Sequence, residues 1–146
     1  MQVLLDTHAL IWFFSGNEKL NGTARNLIED INNIKYISVA SVWEMAIKQS
    51  QGKLTLSVSL EHYIAEKLQL EDFNLLQIKL SHLNLVCQLP FYHKDPFDRL
   101  LIAQSIVENI YIISQDSIFN LYPIIIFLIK MFRNSTILLF YLSYNL

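Results

Sequence analysis

Val3-Leu4-Leu5-Asp6-Thr7-His8-Ala9-Leu10-Ile11-Trp12-Phe13-Phe14 is the stretch whose reading decides the fold. Val3-Leu4-Leu5 is a short, wholly apolar run, as expected of a strand buried on both faces. Asp6 ends the run, and Ala9 to Phe14 reads as a short helix. The same order of strand and then helix recurs. Tyr36-Ile37-Ser38-Val39 reads as a second strand, and Val39, Val42, Trp43 and Ala46 begin a helical stripe. Tyr111-Ile112-Ile113-Ser114 reads as a third strand, with Asp116 just beyond it. Strands alternating with helices predict parallel βαβ units and therefore an α/β sandwich.

The intervening segments fit that scheme. Gly16-Asn17 reads as a turn, and Ala24, Leu27, Ile28 and Ile31 recur at helical spacing. Gln51-Gly52-Lys53 ends the helix of the second unit. Leu60, Tyr63, Ile64 and Leu68 mark another amphipathic helix, and Leu75, Leu76 and Ile78 a small strand. Ser81 to Gln88 predicts a short helix ahead of Pro90, and Phe97 to Glu108 a longer one. There is no internal repeat. A further strand around Pro123 to Phe127 would complete the sheet. We therefore assign residues 1–127 to one domain and 128–146 to an atypical apolar tail. The tail carries only Lys130 and Arg133 as charges. Its uncharged runs fall short of the roughly 20 residues a spanning helix needs, so no membrane association is expected. An altered, frameshifted or read-through end is the expected origin of the tail.

Composition narrows the function. Hydrophobic residues make up 53% of the 146 and charged residues 16%, the opposite of a disordered chain. With a formal net charge of −2, bulk electrostatics does not draw the chain onto nucleic acid, so such contact needs a local basic patch. Cys87 is the one cysteine, which excludes an internal disulfide and suits a reducing cytoplasm. No basic region precedes an apolar one at the N-terminus, so no secretion signal is expected. The three glycines are isolated, which excludes the clustered glycines of a phosphate loop or a dinucleotide fingerprint.

The chemistry rests on acids. Asp6 and Asp116 follow strands, Glu44 lies about one helical turn beyond a strand, and Asp98 stands at a helix entrance in His93-Lys94-Asp95-Pro96-Phe97-Asp98-Arg99. In a parallel sheet the carboxyl ends of the strands form the ligand crevice, so these acids are expected to converge there. Crowded carboxylates repel one another and are stabilised by a divalent cation. Oxygen ligands without a cysteine or histidine pattern favour Mg²⁺ or Mn²⁺ over Zn²⁺, and such a site suits phosphodiester hydrolysis. Each acid also has a capping role available. Asp95 fits an N-cap with Pro96 in the first helical position. Ser41 with Glu44 fits a capping box, and Asp6 and Asp116 could each close a helix start. On pattern alone both readings stay open.

The residues also resemble a known family. Val3-Leu4-Leu5-Asp6-Thr7-His8-Ala9-Leu10-Ile11-Trp12, Ser38-Val39-Ala40-Ser41-Val42-Trp43-Glu44-Met45-Ala46-Ile47-Lys48, Gly52-Lys53-Leu54, and the segment from Leu89-Pro90 through His93 to Gln104 carry the likeness. Ile113-Ser114-Gln115-Asp116 and Tyr122-Pro123 complete it. In this order they resemble the PIN-domain endoribonucleases, specifically the VapC-type toxins of bacterial toxin–antitoxin pairs. The resemblance implies a three-layer α/β/α sandwich around a parallel sheet, and RNA cleavage by a metal-activated water. It implies metal-binding and catalytic roles for Asp6, Glu44, Asp98 and Asp116, with Ser114 near the metal water. It further implies a small cognate antitoxin, a homodimer and a bacterial cytoplasmic location. The run from Leu128 to Leu146 has no counterpart in the family pattern.

Other residues receive narrower expectations. Arg99 is expected to pair with a site carboxylate or to contact RNA phosphate. Lys48, Lys53 and Lys94 are expected to contact RNA, Lys48 in preference to an i,i+4 pair with Glu44. Trp12 and Trp43 read as core or interface residues. His8, His62, His82 and His93 lack metal-ligand spacing and read as structural or surface residues, with His93 a partial exception because it opens the Asp95-Pro96-Phe97-Asp98 segment. Two other functions compete. One is a catalytically silent, toxin-like module that still binds an antitoxin. The other is a phosphatase, which would usually want a second aspartate where His8 stands.

Overall fold

Residues 1–124, with the backbone of 126–128, are described by the computed structural model. Five strands form one parallel sheet: β1 (Gln2–Leu5), β2 (Ile34–Ser38), β3 (Phe73–Leu76), β4 (Tyr111–Ser114) and β5 (Ile126–Leu128). Their order is β3-β2-β1-β4-β5. The chain leaves β1 and builds outward through β2 to β3, then returns to the far side of β1 for β4 and β5. The order therefore reverses between β1 and β4, where Leu5 lies opposite Ile113. A reversal of this kind opens a crevice at the carboxyl ends of the two strands.

The alternation of side chains along β1 creates the layers. Val3 and Leu5 bury into one cluster with Ile37 and Ile113, against α1 (Thr7–Phe14), α2 (Gly22–Glu29) and α4 (Leu60–Leu70). Leu4 and Ile112 bury into the opposite cluster, mainly against α6 (Pro96–Glu108). There α5 (Leu80–Gln88) packs beside α6 and adds Leu85 and Val86. α3 (Val39–Ser50) serves both clusters, through Met45 on one side and Ala40 on the other. The result is the expected three-layer α/β/α sandwich. Leu4, Leu5, Ile112 and Ile113 are wholly buried, each contributing on the order of 1.5–3 kcal/mol by leaving water.

Element boundaries depart from the sequence reading in instructive ways. Val39 does not end β2 but is the first residue of α3, because the Ser38 hydroxyl accepts the Ala40 N–H and starts the helix there. Ser41 is therefore inside the helix and buried, so the Ser41–Glu44 capping box does not form. Ile31 lies beyond the end of α2 and is 87% exposed. β3 runs from Phe73 to Leu76 and stops short of Ile78. Asp95 does cap α6, accepting the N–H groups of Phe97 and Asp98 with Pro96 in the first turn. β5 begins three residues later than the segment read as a strand. Leu128, assigned from sequence to the tail, is the last residue of β5, and the rest of that tail lies outside the described residues. No helix among the described residues is long and apolar enough to cross a membrane.

Candidate active site

Two strand ends define the crevice. Asp6 follows β1 and Asp116 follows Ser114 and Gln115 at the end of β4. Asp6 Oδ1 accepts the Ala9 N–H at 2.6 Å and so caps α1. Asp116 Oδ1 accepts the Ile118 N–H at 2.8 Å and caps the short 3-10 turn Ser117–Leu121. Capping and convergence are thus not rivals at these positions. For Asp116, one oxygen closes the turn while the other, Oδ2, faces His93. Ser114 links the two acids: its hydroxyl hydrogen-bonds Asp6 and accepts the Asp116 N–H at 3.0 Å.

Asp98 arrives from the first turn of α6, where an anion also favours the positive end of the helix dipole. His93, Asp98 and Asp116 bring one donor atom each to within 4.8 Å of one another. His93 Nε2 lies 2.9 Å from Asp116 Oδ2 and 3.2 Å from Asp98 Oδ2. The Asp95 N–H donates to His93 Nδ1 at 3.1 Å. That bond assigns the proton of a neutral ring to Nε2, which then donates toward both carboxylates. His93, only a partial exception among the histidines in the sequence, thus lies between two carboxylates. Its partners lie 5 and 23 positions away, so no local spacing announces it.

Glu44, in the second turn of α3, completes the rim. Thr7 Oγ1 donates to Glu44 Oε2, and Lys48 Nζ lies 2.7 Å from Glu44 Oε1. Lys48 therefore makes the i,i+4 pair with Glu44 that the sequence reading ranked second. Lys53 and Lys94 are exposed. Arg99 also differs from expectation, since among the described residues its guanidinium donates to carbonyls and to no carboxylate. It is buried, and its guanidinium donates to the carbonyls of Val86, Leu89 and Pro90 at 2.7–3.0 Å, with Phe91 stacked 4.0 Å away. It thus ties the end of α5 to the loop that carries His93, where the helix carbonyls favour a cation.

Electrostatics connects Asp6, Glu44 and Asp98. Burial pushes the Asp98 carboxyl up to about 7, opposed by His93 and reinforced by Asp95, Asp6 and Glu44. Burial likewise raises Asp6, with Glu44 adding to the rise and the bonds from Ala9 and Ser114 opposing it. Buried, mutually repelling carboxylates are the surroundings that a dication relieves. With Nε2 of His93 carrying a proton, the lone pairs available here belong to oxygen. That donor set fits a hard ion such as Mg²⁺ or Mn²⁺.

The PIN domain family model matches residues 3–124. Two solved structures resemble the fold. VapBC2 from Rickettsia felis, bound to a DNA fragment from its promoter, superposes with a TM-score of 0.64 at 16% identity, covering 87% of this chain and 98% of that one. FitAB bound to an IR36 DNA fragment gives 0.63 at 19% identity, covering 91% and 99%. No curated protein matches the chain.

Proposed function

This chain belongs to the PIN domain family, and from that premise we propose that it is a metal-dependent endoribonuclease, the toxin of a VapC-type toxin–antitoxin pair. The observation that carries the proposal is the meeting of Asp98 and Asp116 around His93 at the crevice between β1 and β4. Asp6 and Glu44 couple electrostatically to Asp98 there.

In this reading Asp6, Glu44, Asp98 and Asp116 hold Mg²⁺ or Mn²⁺. When bound, the ion supplies positive charge and an acidified water for phosphodiester hydrolysis. The protein's part is geometric. His93 aligns Asp98 with Asp116, Ser114 aligns Asp6 with Asp116, and Thr7 and Lys48 set the angle of Glu44. Arg99 fixes the loop beneath His93. Lys53 and Lys94 remain the candidates for contact with RNA phosphate. A small antitoxin as partner is supported by the two structural neighbours, which are toxin–antitoxin complexes. A homodimer acting in the bacterial cytoplasm belongs to the same reading.

RNA cleavage with and without Mg²⁺, comparing wild type with Asp6→Asn, tests the proposal. Asparagine caps a helix about as well as aspartate but is a poor ligand for a hard cation. Cleavage is expected to need Mg²⁺ and to be lost in Asp6→Asn with the fold intact. Equal cleavage by both proteins would remove the metal role of Asp6.

A further inference from the structure

The geometry points to a nucleobase platform at the rim of the carboxylate site, built from Trp43 and Phe97. The inference rests on the nuclease reading and adds to it how a single-stranded substrate is gripped. Along α3 every residue before the terminal Ser50 is buried or half-buried except Trp43, which is 57% exposed. The chain thus places its largest ring at the one open position of that helix. The indole meets the Phe97 ring at 78°, with centroids 5.0 Å apart. Phe97 is itself fixed, since its N–H donates to Asp95 Oδ1 at 2.9 Å. The pair is therefore held in place while more than half of Trp43 stays open.

Its location identifies the occupant. Trp43 immediately precedes Glu44, and Phe97 immediately precedes Asp98. The ring pair therefore joins α3 to α6, the two helices that carry these site carboxylates. A phosphodiester brought to those carboxylates carries bases on either side, and every base offers a π face. The chain offers little bulk charge for grip and leaves phosphate contact to the exposed Lys53 and Lys94. Its formal net charge is −2, and Lys48, the cation nearest on α3, is engaged by Glu44. Stacking does not depend on charge, and it strengthens binding by roughly 5- to 150-fold per base. Bases inside a duplex are already stacked, so the platform selects single-stranded RNA.

The test uses the full chain with Trp12→Phe, which leaves Trp43 as the sole tryptophan, since the sequence has two. Short single-stranded RNA is compared with the same oligonucleotide made abasic beside the cleaved bond, in Mg²⁺. Binding of the intact RNA is expected to quench indole fluorescence. Trp43→Ala is expected to raise KM about tenfold with kcat changed less than twofold, and to abolish the preference for intact over abasic RNA. Trp43→Phe is expected to restore most of the loss. An unchanged KM in Trp43→Ala would overturn the platform and leave the nuclease reading standing. So would a shift from dimer to monomer on gel filtration with KM unchanged, which would assign the ring to a protein interface. Quenching by RNA that the wild type never cuts would support the platform and sink the nuclease reading instead.

Discussion

Two buried histidines in this protein are wired alike and sit in opposite electrostatic settings. His82, wholly buried near the start of α5, accepts the Lys79 N–H on Nδ1, and its Nε2 lies 2.8 Å from Glu108 Oε1. His93 accepts the Asp95 N–H on Nδ1, and its Nε2 faces Asp116 and Asp98. At His82 one carboxylate is matched by the Lys79 ammonium 2.7 Å away. Hydrogen bonds from Lys79 and His82 hold Glu108 below the usual carboxylate range. At His93 two carboxylates share one ring, with Asp6 and Glu44 close by, and Asp98 is pushed up to about 7. The difference teaches that the histidine motif itself is neutral with respect to function. The excess of anions around it marks the site.

The strongest way to break the comparison is to remove one carboxylate at each end. Asp98→Asn is expected to lower RNA cleavage more than about a hundredfold, beyond the range typical of groups that merely orient metal ligands. Glu108→Gln is expected to leave the rate per folded molecule within about twofold. Gel assays under single-turnover conditions, normalised to folded protein, separate the two. Exchanging the histidines sharpens the contrast. His93→Ala is expected to raise the Mg²⁺ concentration for half-activity about 10- to 100-fold. His82→Ala is expected to lower the urea-unfolding free energy by about 1–3 kcal/mol, through an unpaired Lys79 N–H and a small void, without moving that Mg²⁺ dependence.

Acidity offers a third comparison, because the two ends respond with opposite signs. Folded Asp98 keeps its proton up to about pH 7, whereas an unfolded aspartate releases it near 3.8. Between those values the folded state binds more protons, so stability falls as pH rises. Metal-free protein is therefore expected to lose on the order of 1 kcal/mol between pH 5 and 7.5. Asp98→Asn is expected to flatten that slope, and saturating Mg²⁺ to reverse the loss, as read by thermal melts. Glu108 acts the other way. Its contribution is present above the ordinary glutamate value and is lost as pH falls through the lowered one. The smallest effect belongs to Lys79→Met, since that side chain is more than half exposed. It is expected to cost about 0.5 kcal/mol or less, and less again in high salt, in urea titrations.

Much of this was legible in the residues. Val3-Leu4-Leu5 and Tyr111-Ile112-Ile113 announce buried parallel strands because they are apolar on both faces. Asp6 and Asp116 announce the crevice because they stop those strands. Ser38 was harder to read, since a hydroxyl that caps a helix also fits at the end of a strand, and β-branched Val39 leans toward the strand. Phe73 was missed as the start of β3 because a four-residue strand carries almost no periodicity. Arg99 misled for a different reason. Its hydrogen-bond acceptors are backbone carbonyls, which every residue possesses and no sequence letter reports. At Lys48 the pairing that helix geometry offers does form.

The doubled use of Asp6 and Asp116 has a consequence over evolutionary time. Both carboxyls begin a helical turn with one oxygen, and Asp98 lies in the first turn of another helix. Selection for a sturdy molecule alone would be content with asparagine at Asp6 and Asp116, which caps about as well, and at Asp98, whose burial opposes its charge. Glu44 sits in mid-helix and closes nothing. Yet it holds Thr7 and Lys48, so the witness that the reaction is still under selection is the survival of negative charge at all four positions.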